Sequence, residues 1–198
     1  MTNMNEGNQA VAQSSEVLTR GAFAARKRAD LESLSFASLA ETVKSIPSAA
    51  ESHAHAMRGL EAFGAKRFDE AESAFDKAKQ TFAANLQNLN IYAALCAFHA
   101  YSMWFCEGVG VHERIDSAEH LYLKACEIWL NQGDYENIAV HQRALAIMFI
   151  LANRLRRARY YFGASLDLAN CRKICLTSAQ HNAWGDDYQD CSDLCEFC

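Results

Sequence analysis

The residues best suited to chemistry crowd the C-terminal end of the chain. Five of the eight cysteines fall in the last 28 residues: Cys171, Cys175, Cys191, Cys195 and Cys198. They run Cys171-x3-Cys175, fifteen residues, then Cys191-x3-Cys195-x2-Cys198, with His181 and Trp184-Gly185 between. Cysteines four apart on a helix place both sulfurs on one face. A turn at Gly185-Asp186-Asp187 would fold the second pair back onto the first. Cys171, Cys175, His181 and two of the last three cysteines, Cys191 and Cys195 foremost, would then bind a structural zinc. The match is loose, since zinc pairs more often follow a Cys-x2-Cys spacing. The plainer reading is a set of free thiols in a reducing cytosol, partly packing the end of the fold.

Two Cys-x3-Cys pairs on a helical hairpin also resemble the small mitochondrial intermembrane-space chaperones. That resemblance implies two disulfides and an oxidising compartment, for which nothing else in the chain argues. Cys96, Cys106 and Cys126 lie in apolar stretches and read as buried small hydrophobes.

No constellation elsewhere reads as catalytic. Gly108-Val-Gly110 lacks the preceding strand and following lysine of a phosphate loop, and no serine sits in a Gly-x-Ser-x-Gly elbow. His53 and His55 cannot share a helix face, whereas His112, Asp116 and His120 can. The latter set reads as a solvated face sooner than a metal site. A reactive cysteine needs an electropositive setting, and His181 stands in an acidic tail. The chain is therefore expected not to be an enzyme.

Composition narrows the fold. A single proline among 198 residues suits a mostly helical chain, because proline removes a helix donor and clashes with the preceding turn. Lys+Arg (19) and Asp+Glu (24) nearly balance, for a net charge of −5, which argues against a nucleic-acid partner. No run approaches the roughly 18 apolar residues of a membrane span. The start lacks a compact apolar core behind basic residues, so no secretory signal is expected. The basic stretch Arg20–Arg28 is similar to a mitochondrial presequence, but Glu6, Glu16, Asp30 and Glu32 weigh against that reading. A cytoplasmic setting follows as the expectation.

Residues 1–13 are polar and unpatterned and read as disordered. From 14 to 47, Val17, Leu18, Phe23, Leu31, Leu34, Phe36, Leu39 and Val43 recur at helical spacing, giving an N-terminal helical extension. It should end at Ile46–Pro47, because the residue before proline is pushed out of the α region. Ser48 is then a candidate N-cap. Residues 48–170 read as successive helix pairs, with turns at Gly64–Arg67, Gly108–Gly110 and Asn131–Gly133. Residues 171–198 form the Cys-rich acidic segment.

Three stretches within 48–170 repeat a pattern: Phe68-x2-Ala71-x3-Phe75-x2-Ala78, Ile115-x2-Ala118-x3-Tyr122-x2-Ala125 and Leu155-x2-Ala158-x3-Phe162-x2-Ser165. A small residue lets two helices approach, and the aromatic one turn on fills the gap to the next helix. With Gly59 and Ala146 upstream, this resembles the tetratricopeptide (TPR) repeat, a helix–turn–helix of about 34 residues. The resemblance spans about Glu51 to Ala169. It departs in the middle unit, where glycine-containing sequence is inserted, and no unit has the family's tryptophan or closing proline. It implies an all-α fold, an α-solenoid of about three antiparallel helix pairs, extended N-terminally and ending in the Cys-rich segment. A non-repeat helical bundle would use the same spacings.

In such arrays the first helix of each pair lines a concave groove. Here the resemblance assigns to it His53, Ala56, Leu60 and Phe63, then Asn90, Ala94, Ala97 and Phe98, then Val140, Arg143, Ile147 and Ile150. Ala56 and Leu60 replace the cations of a carboxylate clamp, so the groove suits an apolar peptide or helix. Alternatively the array itself, or the N-terminal helix, fills it. Three units behind a helical extension are similar in layout to the small type III secretion chaperones. The expectation is a non-catalytic adaptor or chaperone whose partner is another polypeptide, with no cofactor beyond the zinc reading. A metal- or redox-responsive regulator and a homo-oligomer that uses the groove on itself are the alternatives. The acidic tail (Asp186, Asp187, Asp190, Asp193, Glu196) is expected to fold against Arg154, Arg156, Arg157 and Arg159, or against a basic partner.

Overall fold

The computed structural model describes residues 22–23, 25–27, 30, 36–83, 88–106, 111–172 and 178–196. The expected disorder of 1–13 and the start of the N-terminal extension lie outside these residues. Every regular element among them is helical. Helical backbone at 22, 23, 25–27 and 30 is designated α1. It is followed by α2 (Ala37–Lys44), α3 (Glu51–Gly64), α4 (Phe68–Ala83), α5 (Leu89–Phe105), α6 (Val111–Gln132), α7 (Tyr135–Leu151), α8 (Leu155–Arg172) and α9 (Ser178–Glu196). No helix among the described residues is long and apolar enough to cross a membrane.

Local chemistry sets the boundaries. α2 stops two residues short of Ile46–Pro47, and the Ser45 hydroxyl donates to the Thr42 carbonyl at 2.6 Å. Ser48 is not the next N-cap. The Ala50 amide bonds back to Pro47 at 2.9 Å, and this turn delays α3 to Glu51, with Ala50 in the cap position and no side-chain cap. Asn88 and Asp134 do cap: the Asn88 side chain accepts from the Asn90 and Ile91 amides, and that of Asp134 from the Asn137 amide.

The helices pack on their neighbours in chain order: α3 on α4, α4 on α5, and so on to α8 on α9. Short turns make the members of a pair antiparallel. The three repeated segments occupy the second helices α4, α6 and α8, and their small and aromatic residues are all buried. Gly59 shows why small residues stand opposite: a Cβ there would lie 2.7 Å from the Phe75 ring. The turns of the first and third pairs are built alike. The Arg67 amide bonds to Ala62 and the Arg154 amide to Phe149, both at 2.8 Å, around Lys66 and Asn153, each at φ 58°. These left-handed residues let the chain reverse within a few positions.

α5 and α7 are the core helices. From Ile91 to Ser102, and from Ala144 to Ile150, every residue is buried. A helix that is apolar all round must be covered all round. The covers of α5 are α4, α6 and, on its third side, α2. At the other end α9 lies on α8. Trp184, Asp187, Cys191 and Leu194 form its buried stripe, so Gly185-Asp186-Asp187 lies within a continuous helix. The turn expected there is corrected by that stripe, whose helical spacing passes through a buried aspartate.

Candidate functional site

Four of the residues assigned to the groove meet the chain's own N-terminal segment. The Nδ1 of His53 bonds the Ile46 carbonyl at 2.9 Å. Phe63 receives Phe36 edge-on at a ring distance of 5.2 Å, and Phe98 lies 6.1 Å from the same ring. Phe36 also stands edge-on to Tyr101 at 4.6 Å. Arg143 lies 3.8 Å from the Asp30 carboxylate of α1. Among the remaining assigned residues, Ile147 and Ile150 are buried in the core, Leu60 is half-buried and Asn90 is exposed at the start of α5. The face of α3 and α5 is thus a surface on which α2 is already seated, and Arg143 of α7 extends it to α1.

An ionic knot closes the far end of this cover. The two Asp187 oxygens of α9 are divided between two cations: Lys27 of α1 donates to Oδ1, and Arg143 of α7 donates to Oδ2 at 2.6 Å. Lys27 also bonds Asp30, and Arg26 bonds Asp190. The Lys27 and Asp187 side chains are each only 4% exposed. Charges leave water at such depth only when paired and hydrogen-bonded. The Arg143 guanidinium lies 5.8 Å from the ring centre of Trp184, which tightens the same corner.

The acidic tail therefore folds onto bases, its aspartates meeting Lys27, Arg143 and Arg26 outside the expected arginine cluster, of which Arg159 alone is seen at the tail among the described contacts. Arg154 bonds Asp116, and Arg157 bonds Asp116 and Glu119 at 3.2 and 2.7 Å, all on α6. The Arg154 hydrogen bond, first among several causes, holds the Asp116 carboxyl below its ordinary range. Arg159 meets the tail through the ring of Tyr188. Asp116 is thereby tied to arginine; the side chain of His112, its candidate metal partner, lies outside the described residues.

Of the cysteine set, Cys171 is exposed near the end of α8, and Cys191 is buried with its thiol donating to the Leu155 carbonyl at 3.5 Å. Leu155 opens α8, so about 24 Å of helix, at 1.5 Å per residue, separates it from Cys171. One ion cannot bridge that distance. Cys175 and the side chains of His181 and Cys195 lie outside the described residues. One mixed cluster does exist: ligand atoms of Asp69, Glu72 and Cys106 lie within 4.8 Å of one another. Glu72 is engaged there by Arg114 at 3.0 Å and by the Cys106 thiol at 3.3 Å. Burial and then the two carboxylates push that thiol up to about 12, which keeps it protonated.

Two buried histidines hold structural hydrogen bonds. The Tyr101 hydroxyl and Nδ1 of His141 share a hydrogen bond at 2.9 Å, and His141 stacks on Trp129 at 4.8 Å. Lys79 donates to Nδ1 of His99 at 3.0 Å. Desolvation lowers His141 to about 3 and, with help from Lys79, His99 to about 4.

Comparison with protein-family models, with curated proteins and with solved structures finds no match to this chain. The site must be read from its own residues. Sequence reasoning passed over Lys27, Phe36 and Asp187 as parts of one site. The available signal was α5, too apolar on every side to line an open groove.

Proposed function

We propose that this chain is a non-catalytic polypeptide-binding module, an adaptor or chaperone of TPR-like architecture working in the cytoplasm. Its binding surface is the face of α3, α5 and α7. The observation that carries the reading is the seat of Phe36 among Phe63, Phe98 and Tyr101, where an amphipathic helix of this chain already lies across first helices of the array. Helix-in-groove recognition works through such anchors, one or two apolar side chains per turn.

The test is affinity capture with tagged full-length chain under reducing conditions, comparing wild type with Phe36→Ala and Leu60→Asp after circular dichroism has confirmed all three folded. Phe36→Ala loosens the cover and should capture more of a partner. Leu60→Asp places a charge on the face and should capture less. Equal capture of the same partners by all three would remove this face from consideration. A stable oligomer without client would favour a structural homo-oligomer instead.

A further inference from the structure

We propose that α1 and α2 are a displaceable internal ligand. The face they cover would accept in trans an amphipathic helix of another polypeptide, with an aromatic anchor in the place of Phe36 and a basic cluster in the place of Arg26 and Lys27. This rests on the polypeptide-binding reading and names the chemistry of its partner.

Three observations carry it. First, the cover is held by the surface beneath it and not by its own local structure: Phe23, Val43 and Ile46 are buried against the array. α2 has eight residues, and its N-terminus has neither a side-chain cap nor an acidic residue in the first turn. Its hold on the array rests on Phe36, Leu39, Val43 and Ile46. Helices of two turns are not stable by themselves, so α2 persists because of the surface beneath it. Secondly, that surface is specific. Phe36 is ringed by three aromatic side chains, and edge-on packing rewards another aromatic over an aliphatic residue. Thirdly, the far end selects by charge. Asp187 and Asp190 take Lys27 and Arg26 at a corner where Arg143 is the only other cation within ion-pairing distance of Asp187 among the described residues. A partner bringing lysine or arginine restores these pairs. One bringing aspartate or glutamate sets like charges together in a nearly dry site.

The experiment titrates a fluorescent peptide of residues 20–46 of this chain against the full-length protein, followed by anisotropy. Wild type, whose own segment competes, should bind it weakly. The Lys27→Glu chain, its latch reversed, should bind it at least tenfold more tightly, and the Phe36→Ala chain should move in the same direction. Peptides carrying Lys27→Glu or Phe36→Ala should bind the Lys27→Glu chain at least tenfold more weakly than the parent peptide. The proposal is overturned if both folded chain variants gain nothing over wild type, or if binding ignores both peptide substitutions. It is equally overturned if both chain variants unfold, since the segment is then an inseparable part of the core. A concentration-dependent dimer that excludes the peptide also overturns it, in favour of segment exchange between copies. Empty affinity capture with intact peptide binding would instead sink the polypeptide-partner reading and leave the self-ligand standing.

Discussion

Lys27 of α1 and Asp187 of α9 form a buried ion pair across 160 residues of sequence, tying the two ends of the described chain together. Removing one member of such a pair costs more than the pair contributes, because the other charge stays buried. Loss of Asp187 leaves two cations, Lys27 and Arg143, with only the part-exposed Asp30 between them, whereas Lys27→Met leaves Asp187 still paired to Arg143. Asp187→Ala should therefore destabilise by roughly 3 kcal/mol, and Lys27→Met by clearly less. Urea unfolding of the two variants measures the order. The reverse order would mean that Lys27, not Asp187, is the hub.

The glycines separate close packing from open space. A Cβ at Gly59 would meet three atoms of the Phe75 ring at 2.7 to 2.9 Å, and that ring is stacked on Phe98 at 5.0 Å and cannot retreat. Gly59→Ala should cost about 1–3 kcal/mol. Gly185, inside α9, has nothing within 4 Å of its added carbon. Gly185→Ala should stabilise by about 0.5–1 kcal/mol, through the lower entropy of the unfolded chain. Thermal melts of the two variants should shift in opposite directions.

Thiol reactivity follows burial. Cys171 is exposed, whereas Cys96 and Cys191 are fully buried and burial raises the Cys96 thiol. Maleimide should label Cys171 within minutes in the native protein and leave Cys96 and Cys191 until denaturant is added. Peptide mass spectrometry reads the sites directly. Rapid native labelling of Cys191 would show that α9 leaves α8 readily, contrary to its buried stripe.

What was legible in the sequence was what repeats locally. Ala71, Phe75 and Ala78 and their counterparts on α6 and α8 follow from helical spacing, and all are buried at one kind of interface. The groove assignment named His53, Phe63, Phe98 and Arg143, which lie on α3, α5 and α7, but left open what covers them. Periodicity reports which face of a helix is apolar, not which distant segment covers it. The Lys27–Asp187 pair is a long-range match between two unremarkable charges. Asp187 misled twice over. Standing beside Gly185 and Asp186 it read as a turn, and it put a charge into the Trp184–Cys191–Leu194 stripe that marks α9 as a packed helix.

Acid should loosen the fold through its buried histidines. His141 titrates near 3 and His99 near 4 in the folded chain, against 6.5 for an ordinary histidine. The unfolded chain takes up these protons as pH falls through 6.5, while the folded chain refuses them. Stability is therefore full above about pH 6.5 and is lost as pH drops toward 4. Each histidine should remove about 2 kcal/mol between pH 7 and 5, at up to 1.4 kcal/mol per pH unit. His141→Gln keeps a hydrogen-bonding partner of either sense for the Tyr101 hydroxyl and cannot be protonated, so it should cut that loss by about half. Urea unfolding at pH 7, 6 and 5 measures both slopes. An unchanged slope in His141→Gln would mean that His141 gains a proton in the folded protein as easily as in the unfolded one.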